Sequence, residues 1–500
     1  MVINCEIPDK AKNAVIAGLC ISTLLCLMSC SVGPDFVRPE APKVDRYTGG
    51  AHPTETVTAD GEAQRFEEGA RIAADWWRLF NSSKLDDVIK DAFGHNPNLE
   101  AAQASLRQSQ QELSAGYGIF YPQIDAGFDA TRQKFSQSRF GGTSASKIFN
   151  LYTLTSTVSY ALDIFGGERR QVESLAAQVD YQRYIVIGTY LALTGNIINT
   201  IIAHAAYDAE IKATEQIVSL EKEQLNITEA QAQAGIVPYV NVLSLQSQMA
   251  ATEATLSPLQ QRLSQTEHLL ATLAGHLPAE WTLPQIALKD LTLPADLPVT
   301  LPSDLVQQRP DILAVEAELH SASADIGVAT AALFPSFTLG GSYGWNNTHI
   351  GDLLKNSSSI WSLGANVAAP LFHGGTLSAR RRAAIEAYNQ SSATYRQTVL
   401  SAFGQVADNL RALEHDAGTL RAQSEALTAA EEALNVIHAN YNSGLANYLQ
   451  VLIANNQYHQ AKILHIAAQA QRLQDTVALF VALGGGWWNA EESVPHKPKD

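Results

Sequence analysis

Few residues in this chain could do chemistry, and none of them forms a catalytic pattern. The sequence contains no P-loop, no G-x-S-x-G nucleophile elbow, no H-E-x-x-H zinc motif and no paired cysteines. His373 stands alone at the end of a predicted strand, and His459 lies on the seam of a predicted helix. Each is better explained as a structural residue than as a ligand. We therefore predict that the chain is not an enzyme and holds no metal and no cofactor.

The cysteines indicate a different chemistry, because all four fall within the first thirty residues. Lys10 and Lys12 precede an apolar run that ends Leu27-Met28-Ser29-Cys30, as in a secretory signal peptide spanning residues 1–29. This ending resembles a bacterial lipobox, which implies that Cys30 is lipidated and begins the mature chain. Ser31 in place of an aspartate favours the outer membrane, by resemblance to lipoprotein sorting. The alternative is an ordinary signal peptide with an incidental cysteine.

The net charge and the hydropathy of the sequence limit which molecules the protein can bind and how it can reside in a membrane. The net charge of −16 argues against nucleic acid as the main partner. No run of eighteen apolar residues follows residue 30, so we expect no transmembrane helix. Membrane residence must then come from a lipid or from a β-barrel.

Two glycine turns organise the helical parts of the chain. Gly235 and Gly444 each separate two long patterns in which apolar residues recur at steps of three and four. Such seams are typical of helices that wrap one another, and a left-handed glycine lets the chain reverse. We predict two antiparallel coiled-coil hairpins with these glycines at their tips. Gly188 and Gly195 are expected to interrupt the first long helix, and Pro258 to kink its return helix.

Four stretches switch to a period of two, which is the pattern of β-strands. They form two predicted hairpins, at about 119–165 and about 334–372, and each strand is long enough to cross a bilayer at a tilt. One face of each strand is apolar. The other is polar, and we expect Asp125, Asp129 and Asp163 on it to face a water-filled lumen.

The same order of elements occurs twice, which indicates an internal duplication. The predicted organisation is a polar strap over residues 30–75, a first repeat over 76–276, a proline-rich linker over 277–308, a second repeat over 309–488 and a flexible tail over 489–500. The fold class is α+β.

Four strands are too few to close a barrel, because an open edge in lipid leaves backbone groups unpaired. Several chains must therefore share one barrel. Three chains would supply twelve strands, whereas two would supply eight and leave a narrow interior. The alternative is a soluble protein in which the alternating stretches form a half-buried sheet.

The sequence resembles the bacterial outer-membrane efflux proteins of the TolC/OprM class, in particular their NodT-like lipoprotein subfamily. The motifs that carry the resemblance span the mature chain in the right order: Gly33-Pro34-Asp35-Phe36, Ala74-Asp75-Trp76-Trp77, Gln308-Arg309-Pro310-Asp311-Ile312, Phe372-x-Gly374-Gly375 and Leu483–Trp487. The resemblance implies a homotrimer, a shared twelve-stranded antiparallel barrel in the outer membrane and a long coiled-coil tunnel across the periplasm.

The resemblance also implies a function. The chain would be the passive exit duct of a tripartite efflux system, carrying small toxic compounds or drugs from an inner-membrane pump, of RND type, and a periplasmic adaptor. Two other functions stay open. One is a duct for protein or peptide secretion of type I, and the other is an envelope lipoprotein whose hairpins act as spacers.

A gate is expected at the tips. The resemblance implies acidic residues at places that hold Asn241, Gln450 and Ile453 here, whereas Tyr441 matches a gate tyrosine. Gln450, Ile453, Gln457 and Gln460 form a stripe beside the heptad seam. We expect an entrance that closes by packing of Tyr441 and Ile453 and by amide hydrogen bonds, without an acidic ring. The alternative is that Tyr441 and Ile453 are hairpin core.

Overall fold

The computed structural model describes residues 31–49, 54–135 and 147–489. The predicted signal peptide, Cys30 and residues 490–500 of the predicted tail lie outside the described residues. The helices described are α1 Ser83–His95, α2 Pro97–Tyr117, α3 Gly167–Gln233, α4 Tyr239–Glu253, α5 Leu256–Ala274, α6 Pro302–Gln308, α7 Pro310–Ala331, α8 Thr376–Asn442 and α9 Tyr448–Ala482. The strands described are β1 Arg65–Glu68, β2 Gln123–Phe135, β3 Lys147–Leu162, β4 Asp296–Val299, β5 Ser336–Asn347 and β6 Ser359–Ala368.

The chain divides into two compact units. Among the described residues, the first unit takes 31–38, 106–135, 147–182 and 315–395, and the second takes 39–49, 54–105, 183–314 and 396–489. The first unit contains the strands β2, β3, β5 and β6. The second contains β1, β4 and both glycine turns.

A four-stranded antiparallel sheet dominates the first unit, in the order β2-β3-β5-β6. Its register keeps like residues in rows across the strands. Phe128, Leu154 and Trp345 are paired in one row on the apolar face. Asp125, Thr157, Ser342 and Ser362 form a row on the polar face. The two faces predicted from alternation in each strand are therefore continuous across the whole sheet.

The outer strands of this sheet, β2 and β6, each have one edge without a strand partner in the described chain. Their apolar side chains are also exposed: Ile124 70%, Phe128 56%, Trp361 73% and Leu363 81%. In water such a surface would be a site of aggregation. The sheet therefore has an apolar face and two edges that other molecules must cover.

The N-terminal segment packs directly beneath the β2–β3 hairpin. The Val32 amide donates to the Phe165 carbonyl at 3.1 Å. A side chain at Gly166 would collide with Ser31, since its Cβ would lie 2.7 Å from the Ser31 Oγ. Arg170, itself buried, is paired with Asp35 and with Glu173. The predicted strap is thus fixed against the first unit at its start.

The placement of Asp163 on a strand face was wrong. β3 ends at Leu162, and the Asp163 carboxylate accepts hydrogen bonds from the amides of Glu168 and Arg169 at 3.1 and 3.0 Å. It also pairs with the Arg169 guanidinium at 3.0 Å. A carboxylate satisfies the free amides at a helix N-terminus, and this local gain removes Asp163 from the strand.

The core of the second unit is built around aromatic and branched side chains. Trp76 stacks on Phe480 with ring centroids 5.0 Å apart, and both are fully buried. Arg309 fixes the end of α9, because its guanidinium donates to the Ala482 carbonyl at 2.7 Å and pairs with Asp311. Glycine suits position 485 in this corner, because its φ of 72° lies in the left-handed region, and a Cβ there would also meet the end of the Leu191 side chain.

The proline-rich segment 277–308, predicted as a linker, contains regular structure. It holds β4, which pairs in parallel with β1 from the predicted strap, and α6. Leu297 and Leu305 from this segment are fully buried in the core. Two segments that show no periodicity in the sequence thus pair with each other, although they lie far apart along the chain.

The first long helix departs from prediction. α3 runs without a break, so the interruptions expected at Gly188 and Gly195 were wrong. Gly195 instead allows close packing, because a Cβ would lie 2.8 Å from Val481 Cγ2. The return helix is interrupted at Ala254 and Thr255. Pro258 explains this break, because it cannot donate a hydrogen bond to the Ala254 carbonyl.

One described helix has to be weighed against the expectation of no membrane-spanning helix. By length and composition alone, α3 passes as one candidate among the described residues, although 44% of its apolar window is buried within the protein. Its Ile197, Ile198 and Ile201 lie in the core of the second unit. We interpret the apolar character of α3 as that of a core helix.

Candidate functional site

The two glycine turns have the same backbone geometry. Gly235 and Gly444 both have φ of 74°. After the first, the Ile236 amide donates to the Gln231 carbonyl at 2.9 Å; after the second, the Leu445 amide donates to the Asn440 carbonyl at 2.8 Å. These bonds, with those of the glycine amides, form a Schellman motif at each helix end. The predicted tips at Gly235 and Gly444 are thus helix-ending turns of one type.

The second tip buries one tyrosine, although Leu445 and Leu449 on either side of it are 81% and 60% exposed. Tyr448 follows its turn and is 8% exposed, in a small apolar cluster with Leu225, Val242 and Leu245. Asn447 caps α9, and its side chain and that of Gln450 exchange hydrogen bonds with each other's backbone amides. This capping box fixes the direction in which α9 leaves the turn.

The first tip leaves its apolar side chains in solvent. Tyr239, at the position after the turn that Tyr448 occupies in the second tip, is 64% exposed. Ile236 and Val240 are 70% and 61% exposed. Pro238 precedes α4 and offers no side-chain cap. The first tip therefore presents an apolar surface that its own chain does not cover.

The predicted gate residues fall into two environments. Tyr441 is half-buried; its hydroxyl donates to Gln231 Oε1 at 3.0 Å and its ring meets Tyr448 edge-on at 6.4 Å between centroids. Ile453 is 48% exposed, and Gln450 is exposed except for its capping bonds. Asn241 is half-buried near the start of α4. Tyr441 thus joins two hairpins within one chain, whereas Ile453 lies on a free surface.

The predicted stripe on α9 is a continuous exposed face. Gln450, Ile453, Gln457 and Gln460 are all exposed. Val451, Ala454 and Asn455 on the opposite face are buried. The stripe carries amides and one apolar side chain and no charge, so it can hydrogen-bond to water or to another chain without a fixed electrostatic field.

A buried carboxylate near the second tip was not predicted. Glu221 on α3 is 1% exposed; its Oε1 accepts from the Thr252 hydroxyl at 3.2 Å, and its Oε2 has no partner among the described residues. Burial raises the pKa of Glu221, while hydrogen bonds from Thr252 and Gln248 lower it in part. The charge of Glu221 also raises the pKa of Tyr448, after the larger effect of burial. The only sequence signal was a polar residue at a seam position.

The two lone histidines lie in different surroundings. His459 is half-buried on the α9 seam, where its Nε2 lies 3.3 Å from the Thr214 hydroxyl, and burial lowers its pKa. His373 is exposed after β6. The expectation that both are structural residues stays a prediction.

The chain is similar to several known proteins. The sequence profile described as "Outer membrane efflux protein" matches residues 88–276 and 301–485. The pyoverdine export outer membrane protein OpmQ of Pseudomonas putida is 29% identical over 416 residues, which are 82% of this chain and 88% of OpmQ. The probable efflux pump outer membrane protein TtgC of Pseudomonas putida is 28% identical over 468 residues, 93% of this chain and 94% of TtgC.

A solved structure agrees with the sequence matches. The outer-membrane channel OprN is similar with a TM-score of 0.83 and 27% identity, over 92% of this chain and 100% of that chain. The chain belongs to the outer membrane efflux protein family, and the resemblance seen in its sequence motifs is confirmed. It is an efflux protein of the outer membrane with the α+β fold of that family.

Proposed function

We propose that three copies of this chain form the passive exit duct of a tripartite efflux system, which carries small toxic compounds across the periplasm and the outer membrane. The observation that carries the proposal is the four-stranded sheet with two open edges. An unpaired backbone group in lipid costs several kcal/mol, so the edges must pair with neighbouring copies. Three copies supply the twelve strands of a closed barrel with a wet interior.

The faces of the sheet fit this assembly. The apolar row of exposed Phe128 and half-buried Leu154 and Trp345 would contact lipid, and the polar row that includes Asp125 would line the lumen. Neighbouring copies would cover the edges of β2 and β6. The apolar face, the polar face and both open edges of the sheet would then each contact lipid, water or a neighbouring copy.

A lipid on Cys30 would lie at the correct level. Ser31, the next residue, sits against Gly166 at the end of the β2–β3 hairpin. An acyl chain attached one residue earlier would therefore start close to the membrane end of the sheet. We propose that this anchor holds the chain at the outer membrane while the copies assemble.

The proposed substrates and partners follow from the relatives. OpmQ is named for export of pyoverdine and TtgC for an efflux pump, which favours small molecules over secreted proteins. The chain has no energy-coupling motif, so an inner-membrane pump, of RND type, must drive transport through a periplasmic adaptor. The exposed apolar side chains of the first tip, led by Tyr239, are a surface for that adaptor or for a neighbouring copy.

We place the gate at the second tip. Gln450 and Ile453 would face the entrance from three copies, while Tyr441 holds the hairpins of each copy together and Asn241 flanks them. Closure would come from packing of Ile453 and from amide hydrogen bonds. Because no acidic residue lies on this stripe, divalent cations should block the entrance weakly.

Two substitutions on β6 test the assignment of the faces. Leu363→Arg puts a charge on the proposed lipid face, at a cost of about 2–4 kcal/mol, whereas Ser362→Arg puts it on the polar face one residue away. In a strain lacking the gene, the first variant should fail to restore resistance to toxic compounds and the second should restore it. Outer-membrane levels and minimum inhibitory concentrations are the measurements.

The outcomes separate the functions that the sequence left open. Equal behaviour of the two variants would contradict the assignment of the faces. An unchanged inhibitory profile in the deletion strain, together with loss of a secreted protein, would favour secretion. The wild-type protein in planar bilayers should conduct; silence would favour a spacer. Strong, pH-dependent divalent block in these recordings would contradict the gate.

A further inference from the structure

A cluster of two histidines and one aspartate lies in the second unit, far in sequence from both tips. Asp91 and His95 belong to α1, and His276 follows α5. Their candidate ligand atoms lie within 4.8 Å of one another. Asp91 Oδ1 is 3.0 Å from His95 Nδ1, and Asp91 Oδ2 is 2.9 Å from His276 Nε2. The side chains are 57% exposed at His95 and 29% at His276, so solvent reaches the cluster.

The backbone around the cluster is arranged to bring the two histidines together. Asp91 and His95 are one turn apart and share a face of α1. Gly275 has φ of 82°, and a Cβ there would lie 2.1 Å from the His95 carbonyl oxygen. Only glycine can make this approach, which places His276 beside His95. The Asn96 side chain holds the two segments by donating to the Leu273 carbonyl at 2.8 Å.

A second layer of contacts orients the cluster. The Trp281 indole donates to Asp91 Oδ2 at 3.3 Å, and its ring is parallel to that of His276 at 6.2 Å between centroids. Hydrogen bonds of this kind fix the ligands of metal sites. α1 and α5 both end here, and the carbonyl ends of helices favour a cation.

We propose that Asp91, His95 and His276 bind one divalent transition-metal ion of the class of Zn²⁺. Imidazole and carboxylate ligands suit Zn²⁺, Cu²⁺ and Ni²⁺, and three protein ligands leave room for water in the coordination sphere. The ion replaces the contacts of His95 Nδ1 with the Asp91 carboxylate and backbone carbonyl, at 3.0 and 2.9 Å, and that of His276 Nε2 with the carboxylate at 2.9 Å. It thereby ties the end of α1 to the end of α5, as a staple separate from the gate and the sheet.

The test uses the full chain in detergent, purified with an affinity tag that lacks histidine and stripped of metal with a chelator. Co²⁺ is added while its visible absorption is followed, and Zn²⁺ is then added to displace it. We expect saturation at one ion per chain and an increase in the melting temperature with Zn²⁺. His95→Gln and His276→Gln should each weaken binding at least tenfold and abolish that increase.

His268→Gln is the matched control, because His268 is exposed on α5, the helix that precedes His276, outside the cluster. It should bind Co²⁺ as the wild type does. His95→Gln lies at an exposed helix end, so it should fold normally even if His276→Gln does not. Absence of saturable binding, or equal binding by His95→Gln and His268→Gln, would overturn the proposal.

Discussion

The two hairpin tips stand at equivalent places in the two halves of the chain, and they differ in the burial of one tyrosine. Both turns keep a glycine at φ of 74° and the same pair of backbone hydrogen bonds. After the turn, Tyr448 is buried while Tyr239 is 64% exposed. The turn depends only on backbone geometry, so the flanking residues are free to diverge. At this position one tip buries its ring and the other exposes it, whereas the residues on either side are exposed at both tips: Ile236 and Val240 at the first, Leu445 and Leu449 at the second.

The largest expected effect tests this difference directly. Tyr448→Ala removes a buried aromatic ring and should destabilise the second tip by about 3–5 kcal/mol, whereas Tyr239→Ala should change the first tip by less than about 0.5 kcal/mol. Hydrogen exchange of the amides around each turn measures both. Tyr448→Phe should match or exceed wild-type protection, since the buried hydroxyl has no partner among the described residues. Similar effects at both tips would contradict the comparison.

Glu221 should make the stability of the second tip depend on pH. Burial raises the pKa of Glu221, so its ionised form is disfavoured in the folded protein. The pKa of a glutamate in the unfolded chain is about 4.3, and the free energy of unfolding therefore falls as the pH rises above that value. Glu221→Gln should therefore stabilise by about 1–3 kcal/mol at pH 8 and by little at pH 4. Melting curves at the two pH values measure this.

The exposed neighbour Glu223 provides the control for that experiment. Glu223→Gln should leave the melting temperature nearly unchanged at both pH values. If Glu221→Gln raised the melting temperature as much at pH 4 as at pH 8, the effect would not come from ionisation of a buried carboxylate, and the prediction would be wrong.

The smallest effect concerns what the tips share. Gly235→Ala and Gly444→Ala should each cost about 1–2 kcal/mol, because an L residue resists this left-handed backbone although no neighbouring atom obstructs it. Gly418→Ala, in the interior of α8, should instead stabilise by up to about 1 kcal/mol. Hydrogen exchange again gives the values. Unequal costs at the two tips would show that the turns differ after all.

Features that repeat locally could be predicted from the sequence. Alternation in Asp125–Phe128 and its counterparts predicted the two faces of the sheet, and Gly235 and Gly444 predicted the tips. The alternating pattern and the turn glycines each involve only a few neighbouring residues, and the conformation that these residues favour locally is the one they adopt in the fold.

Features that join distant segments could not be predicted. The pairing of β1 with β4 depends on residues 231 positions apart, such as Arg65 and Asp296. His276 gave no motif with Asp91, because 185 positions separate them. Asp163 satisfied the alternation of β3, yet its carboxylate is more favourable at the start of α3. A period of two in the sequence does not show when the free backbone amides of the following helix will draw a residue out of a strand.

The open edges of the sheet also have a consequence for inheritance. In the proposed trimer, β6 of each copy pairs with β2 of the next. One chain with a damaged edge therefore prevents the shared barrel from closing. In a cell that makes intact and damaged chains together, the share of sound channels falls as the cube of the share of sound chains. A charge on β6 that still permits mixing would therefore be dominant over the wild-type allele, whereas a complete loss of the chain would be recessive.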